Sequence, residues 1–342
     1  MVRKLIAVLA VVAALAPLCV GIALGTDMLR LRPGWRDDYR RPTAIPFPPD
    51  NPYTPEKAEL GAALFFDPLL SNSRTMACAT CHQPSLAWAD AKALAVGDRQ
   101  QAMNLRSPTL LNIAWLPILG WDGKFPDIEA VSFRAISGQS NMDLPADQAL
   151  ERLSASPAYQ RRFQAVFGPG PITADKVEQA LATYERSVVA GIAPFDRWVN
   201  GDESAVSDAA KRGFALFDGK AHCAACHSGW AFTDGSFQDI GIGTGDDLGR
   251  GAYFPSSVAL HYAFKVPTLR DVALRAPYMH DGSLPTLEAV VDHYDAGGID
   301  RPSRSPFIRP LHLTADEKSD LIAFLKTLTA DSHSAVVALQ PR

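Results

Sequence analysis

Cysteine is scarce in this chain, with five among 342 residues. One of them, Cys19, sits in an N-terminal apolar stretch, and none is left over to staple a fold, which excludes the disulfide-framework class. A basic surface is missing too. Lys and Arg number 33 against 37 Asp and Glu, the formal charge is −4, and no basic stripe interleaves with aromatics. No nucleic acid is expected as a partner on that ground. Sustained alternation of apolar and polar residues is also absent, so no substantial sheet is expected. With 47% apolar residues, the composition is that of a globular chain long enough for two domains.

What is there is concentrated in two short motifs. The remaining four cysteines fall into Cys78-Ala79-Thr80-Cys81-His82 and Cys223-Ala224-Ala225-Cys226-His227. A bare C-x-x-C suits a thiol redox pair or half a zinc site. The histidine directly after the second cysteine selects c-type haem attachment instead. The thiols bond to the haem vinyl groups, and the chain then brings the imidazole under the iron. Cys78, Cys81, Cys223 and Cys226 are therefore the expected attachment points of two covalently bound haem c groups, with His82 and His227 as iron ligands.

The leader bears on the compartment. Arg3 and Lys4 precede an uncharged apolar run over residues 5–25. Its length exceeds a usual signal-peptide core and suits a membrane anchor, although Ala23-Leu24-Gly25 also resembles a cleavage site. Either way the chain is exported, with the positive end inside. A periplasmic protein is expected, tethered to the inner membrane by residues 5–25 if the leader stays uncleaved. Residues 26–54 are rich in Pro and Arg and read as an extended, solvated linker.

Helical spacing appears from Thr54-Pro55 through Phe65 and over residues 146–153, 158–167, 173–189 and 209–217. Thr286 opens a further helix that Gly297 and Gly298 end, and Thr314 with Glu317 forms a capping box for the last one. Both haem motifs follow the same signature, Gly61-Ala62-Ala63-Leu64-Phe65 and Gly213-Phe214-Ala215-Leu216-Phe217. The expected fold is all-α, two cytochrome c-like haem domains with long loops behind an N-terminal hydrophobic segment. Residues 55–200 form the first domain, 201–330 the second and 331–342 a tail.

Three further blocks carry a family resemblance: Phe66-Asp67-Pro68-Leu69-Leu70-Ser71 ahead of the first motif, Arg106-Ser107-Pro108-Thr109-Leu110 with Trp121-Asp122-Gly123, and Phe264-Lys265-Val266-Pro267-Thr268-Leu269-Arg270 with Pro277-Tyr278-Met279-His280-Asp281-Gly282. In this order they resemble the bacterial di-haem cytochrome c peroxidases and the MauG group among them. The resemblance implies that hydrogen peroxide reacts at the N-terminal haem while the C-terminal haem relays or stores an oxidising equivalent, with Trp121 between them.

Departures from the pattern refine this. Asp98 stands where ordinary peroxidases have a histidine that caps the first iron, so that haem is expected to be five-coordinate from the outset. Tyr294 stands where they have the methionine ligand of the second haem, as in the MauG group. A hard, anionic phenolate favours higher iron charge. His293 is the competing ligand, but helix neighbours point about 100° apart, and Leu287 and Val290 share the face of Tyr294. His280 reads as support for the site, with Met279 in a packing segment. The glutamine and glutamate of the peroxide pocket are replaced by Val131 and Asn141, leaving Asp143, Glu129 or Asp122 as acids. Arg106 stands in place of an asparagine that binds calcium between the haems, which puts calcium in doubt.

The expected function is that of a haem-dependent peroxidase-type oxidoreductase. Peroxide builds a high-valent di-haem state that oxidises an exported protein partner. The alternatives are an ordinary peroxidase fed by a small cytochrome and a tethered electron carrier.

Overall fold

The computed structural model describes residues 31–331. The apolar leader over residues 5–25, Cys19 and most of the tail lie outside them. Among the described residues no helix is long and apolar enough to cross a membrane.

The described residues open with a short helix, α1 (Trp35–Asp38), and over residues 31–54 this corrects the reading of a solvated linker. Trp35 and Tyr39 are buried in the core of the second domain. The Trp35 ring lies 4.5 Å from that of Trp198 and 4.7 Å from that of Phe214. Arg41 donates to the carbonyls of Ala190 and Gly191 and faces Asp196 at 3.4 Å. Two aromatics four positions apart on one turn remove enough apolar surface from water to outweigh the stiffness of the prolines.

The first domain contains α2 (Pro55–Phe66), α3 (Cys78–Cys81), α4 (Ile128–Ser137), α5 (Ala146–Ala155), α6 (Pro157–Phe167) and α7 (Ala174–Arg186). Thr54 and Thr173 cap α2 and α7 by accepting the amides of Lys57 and Lys176, as their position before a periodic run requires. α7 stops at Arg186, short of the expected residue 189. Helix α4 replaces part of what reads as loop. It is built on Asp127, which caps the amide of Ala130, and on the buried stripe Ile128, Ser132, Phe133 and Ile136.

After α8 (Pro194–Val199) the second domain contains α9 (Asp208–Asp218), α10 (Leu287–Ala296) and α11 (Ala315–Lys326). Thr286 caps α10 and Gly297 ends it in the left-handed conformation at φ 85°. The Thr314–Glu317 capping box opens α11. Between α9 and α10 the chain is mostly loop. Its regular strands are one antiparallel pair, β1 (Phe237–Gln238) and β2 (Phe264–Lys265), with Phe237 opposite Lys265.

Each domain has its own core. Leu64, Phe65, Leu181 and Tyr184 join α2 to α7 in the first. Phe214, Phe217, Leu321 and Phe324 join α9 to α11 in the second. The helix leading into each haem motif thus packs on the last helix of its module, and the internal repeat in the sequence is a repeat of this pair.

Candidate haem sites and the cavity between the domains

None of the four described cysteines is in a disulfide. In both motifs the backbone turns tightly, with the histidine amide bonded to the carbonyl of the first cysteine, His82 to Cys78 at 3.0 Å and His227 to Cys223 at 2.9 Å. Each imidazole is then fixed from behind. His227 Nδ1 lies 2.9 Å from the carbonyl of Phe232, and His82 Nδ1 lies 3.3 Å from that of Trp88. A carbonyl accepts only from N–H, so the proton sits on Nδ1 and Nε2 keeps its lone pair. Burial pushes both imidazoles toward the neutral form, the form that binds a metal. The two copies of the repeat share one arrangement.

A mainly apolar cavity lies between the domains. Cys223, Cys226 and His227 line one side, and Leu287, Val290 and Tyr294 of α10 also face it. Burial and the nearby Cys223 and Cys226 push the Tyr294 phenol well above its ordinary pKa. His293 is turned away, with Nε2 2.9 Å from the carbonyl of Ile240. These two neighbours on α10 thus face different surroundings.

The polar lining is cationic. Arg106, Lys265 and Arg275 are buried along this cavity. Arg106 Nη2 donates to the carbonyl of Arg275 at 3.0 Å and Arg275 Nη2 to that of Thr268 at 2.5 Å, but the Nε of each has no partner. Burial pulls Lys265 down to about 8 and Arg275 down to about 10. Buried cations with orphaned donors require anions. A flat apolar group carrying carboxylates, which describes a haem with its propionates, fits both the shape and the charge. Among the described residues no cluster of three or more His, Cys, Asp or Glu gathers for a metal ion, and Arg106 brings positive charge to the position where the resemblance implies a calcium ligand.

Trp121 also lines the cavity. Its indole N–H donates to the carbonyl of Arg106 at 3.0 Å, and its own carbonyl accepts from the amide of Lys265 at 2.7 Å. One bond ties it to the first domain and the other to the second. His280 is 3% exposed. It stacks on Phe264 at 3.5 Å and meets Asp247 Oδ2 at 2.7 Å.

In the first domain Asp98 is held by the amide and hydroxyl of Ser73. Of the acids proposed to replace the missing peroxide-pocket pair, Asp143 is clamped by Arg99 at 2.7 and 2.8 Å. Glu129 is clamped by Arg186 at 2.5 and 2.6 Å. Burial alone would raise Glu129, but Arg186 and Asn51 bring it below the usual carboxylate range. Neither is free to shuttle a proton. The sequence reading passed over Glu185, at the end of α7, which burial pushes up to about 8. Its charge also helps to raise the Cys78 thiol, after burial.

The family model "Di-haem cytochrome c peroxidase" matches residues 55–204, and the model "Cytochrome c" matches residues 210–329. The methylamine utilization protein MauG of Methylorubrum extorquens is 52% identical over 89% of this chain and 86% of its own length. The cytochrome c551 peroxidase of Nitrosomonas europaea is 33% identical over 86% and 87%. Among solved structures, a MauG-like protein associated with microbial copper homeostasis superimposes with a TM-score of 0.81 at 28% identity, covering 88% of this chain and 97% of that one. The chain belongs to the di-haem cytochrome c peroxidase family and is a haem-dependent, MauG-like oxidoreductase with two covalently bound c-type haems.

Proposed function

We propose that Cys78, Cys81 and His82 hold the peroxide-reacting haem, and that Cys223, Cys226, His227 and Tyr294 hold a second haem that stores oxidising power. The haems supply the redox chemistry, taking two oxidising equivalents from hydrogen peroxide and delivering them to a protein partner. Trp121, bonded to both domains, holds the seam through which charge passes. His227 and Tyr294 place a neutral nitrogen and a phenol oxygen toward one group, and the buried arginines neutralise its carboxylates. The observation that supports the reading most is that His227 and Tyr294 line one cavity while His293 bonds elsewhere. We place the protein in the periplasm, where its motifs are loaded, with residues 5–25 as signal or anchor and an exported protein as the substrate.

Adding peroxide to the diferric holoprotein tests the assignment. A high-spin ferric signal in the electron paramagnetic resonance spectrum at rest, followed by an optical change with no prior reduction, is the expected result. Two low-spin signals, or reactivity only after half-reduction, would count against an open first iron and favour an ordinary peroxidase fed by a small cytochrome.

Glu185 gives a separate expectation. Its native pKa of about 8 exceeds the ~4.3 of a free glutamate. The native state therefore holds a proton that the unfolded chain has released, and stability falls as pH rises from about 4.3 toward 8. The loss amounts to a few kcal/mol, at about 1.4 kcal/mol per pH unit between the two values. Urea unfolding of the Glu185→Gln holoprotein at pH 5 and pH 8 should lose this difference. An unchanged pH dependence in the variant rules the buried carboxylic acid out.

A further inference from the structure

Tyr253 lies in the long loop between α9 and α10 and is 47% exposed, yet its phenol reaches the inter-haem block. Its hydroxyl donates to Asp122 Oδ2 at 3.0 Å, and Asp122 is the next residue after Trp121. The contact is held from several sides. Arg250 donates to the carbonyl of Gly123 at 2.6 Å and to that of Asp122 at 3.2 Å. Its guanidinium also lies over Phe237, Phe254 and Tyr253 at 5.0, 4.8 and 5.9 Å. The other oxygen of Asp122 accepts the amide of Lys124 at 3.1 Å, which aims the carboxylate and leaves Oδ2 for the phenol.

From this geometry we infer that Tyr253 is the surface exit for oxidising equivalents, with Asp122 as its proton acceptor. The inference rests on the reading that Trp121 carries charge between the haems. The path from the Trp121 backbone runs through one peptide unit, the Asp122 side chain and one hydrogen bond to the surface. Tyr253 gives one electron to the peroxide-oxidised haem pair by way of Trp121 and passes its phenolic proton to Asp122, leaving a neutral phenoxyl. The protein donor then returns one electron and Asp122 returns the proton, which restores the phenol. Two such cycles discharge both equivalents of one peroxide. Arg250 makes the proton step necessary, because a tyrosyl cation beside a guanidinium would place two positive charges side by side. A phenol bonded only to water would lack a fixed base at the moment of oxidation.

The test treats the diferric holoprotein with one equivalent of peroxide in the presence of nitrosobenzene as radical trap, followed by peptide mass spectrometry. Adduct is expected on Tyr253. In Tyr253→Phe it should fall by about tenfold or more, with the resting haem spectrum and the peroxide-induced optical change retained. Asp122→Asn keeps the ring but removes the base, and should also lower the Tyr253 adduct by about tenfold, or roughly 1.4 kcal/mol of barrier. An optical change without adduct on Tyr253 overturns this inference and leaves the peroxide reading intact. No optical change overturns both. Undiminished adduct in Asp122→Asn overturns the proton-acceptor role.

Discussion

Exchanging Tyr294 for methionine is expected to raise the reduction potential of the second haem by on the order of 0.1 V or more, within the ~0.8 V that axial ligands command. The phenol sits in an apolar wall beside Leu287 and Val290, where burial alone opposes its ionisation. Only a strong cation facing it makes the phenolate favourable there. A thioether of similar reach fills the same space without charge and favours the reduced metal. The variant should accept electrons readily and oxidise its protein partner only after half-reduction, as an ordinary peroxidase would. His293 cannot take over, because its Nε2 is engaged with Ile240. Spectroelectrochemical titration of wild type and Tyr294→Met decides the matter. Coincident potentials for the second haem would remove Tyr294 from the iron.

How far the sequence shows these features depends on how local they are. Thr54, Thr173, Thr286 and Thr314 can be read as caps because a cap involves only the next three residues. The two C-x-x-C-H motifs are legible for the same reason. Tyr294 is legible through the resemblance, which aligns it with the methionine ligand of ordinary peroxidases, and helical spacing then separates it from His293. The burial of Trp35 and Tyr39 is not, because proline density dominates that stretch and the partners Phe195 and Phe214 lie far along the chain. Helix α4 is hidden between Pro126 and Gly138, although its stripe is regular. The Asp122–Tyr253 bond spans 131 positions, and no local pattern announces it. Glu185 passes unnoticed because a glutamate near a helix end ordinarily faces water, and only tertiary packing buries this one.

The repeated glycine ahead of each haem motif gives the second large effect. A Cβ built on Gly213 would lie 1.9 Å from the carbonyl oxygen of Asp320 and 2.8 Å from Phe324 Cβ. On Gly61 it would lie 2.0 Å from the carbonyl oxygen of Ala180 and 2.8 Å from Tyr184 Cβ. In both modules the helix leading to the motif therefore crosses the closing helix backbone to backbone, α2 on α7 and α9 on α11. On a free helix surface, Gly→Ala would stabilise by about 1 kcal/mol through helix propensity. Here the obstructing atoms belong to the main chain and no side chain can swing aside, so overpacking sets the sign. Its usual cost is about 1–3 kcal/mol, occasionally more, and these sites belong at the upper end. Against a total stability of roughly 5–15 kcal/mol, Gly213→Ala should visibly lower the urea midpoint of the holoprotein. The damage should also be confined to one module. Gly213→Ala should deplete the haem at Cys223 and Cys226, and Gly61→Ala the haem at Cys78 and Cys81, as read by mass spectrometry of the haem-bearing peptides. An unchanged or higher midpoint in either variant would show that the helices have room to part, and the close crossing would no longer explain why the motif begins with glycine twice.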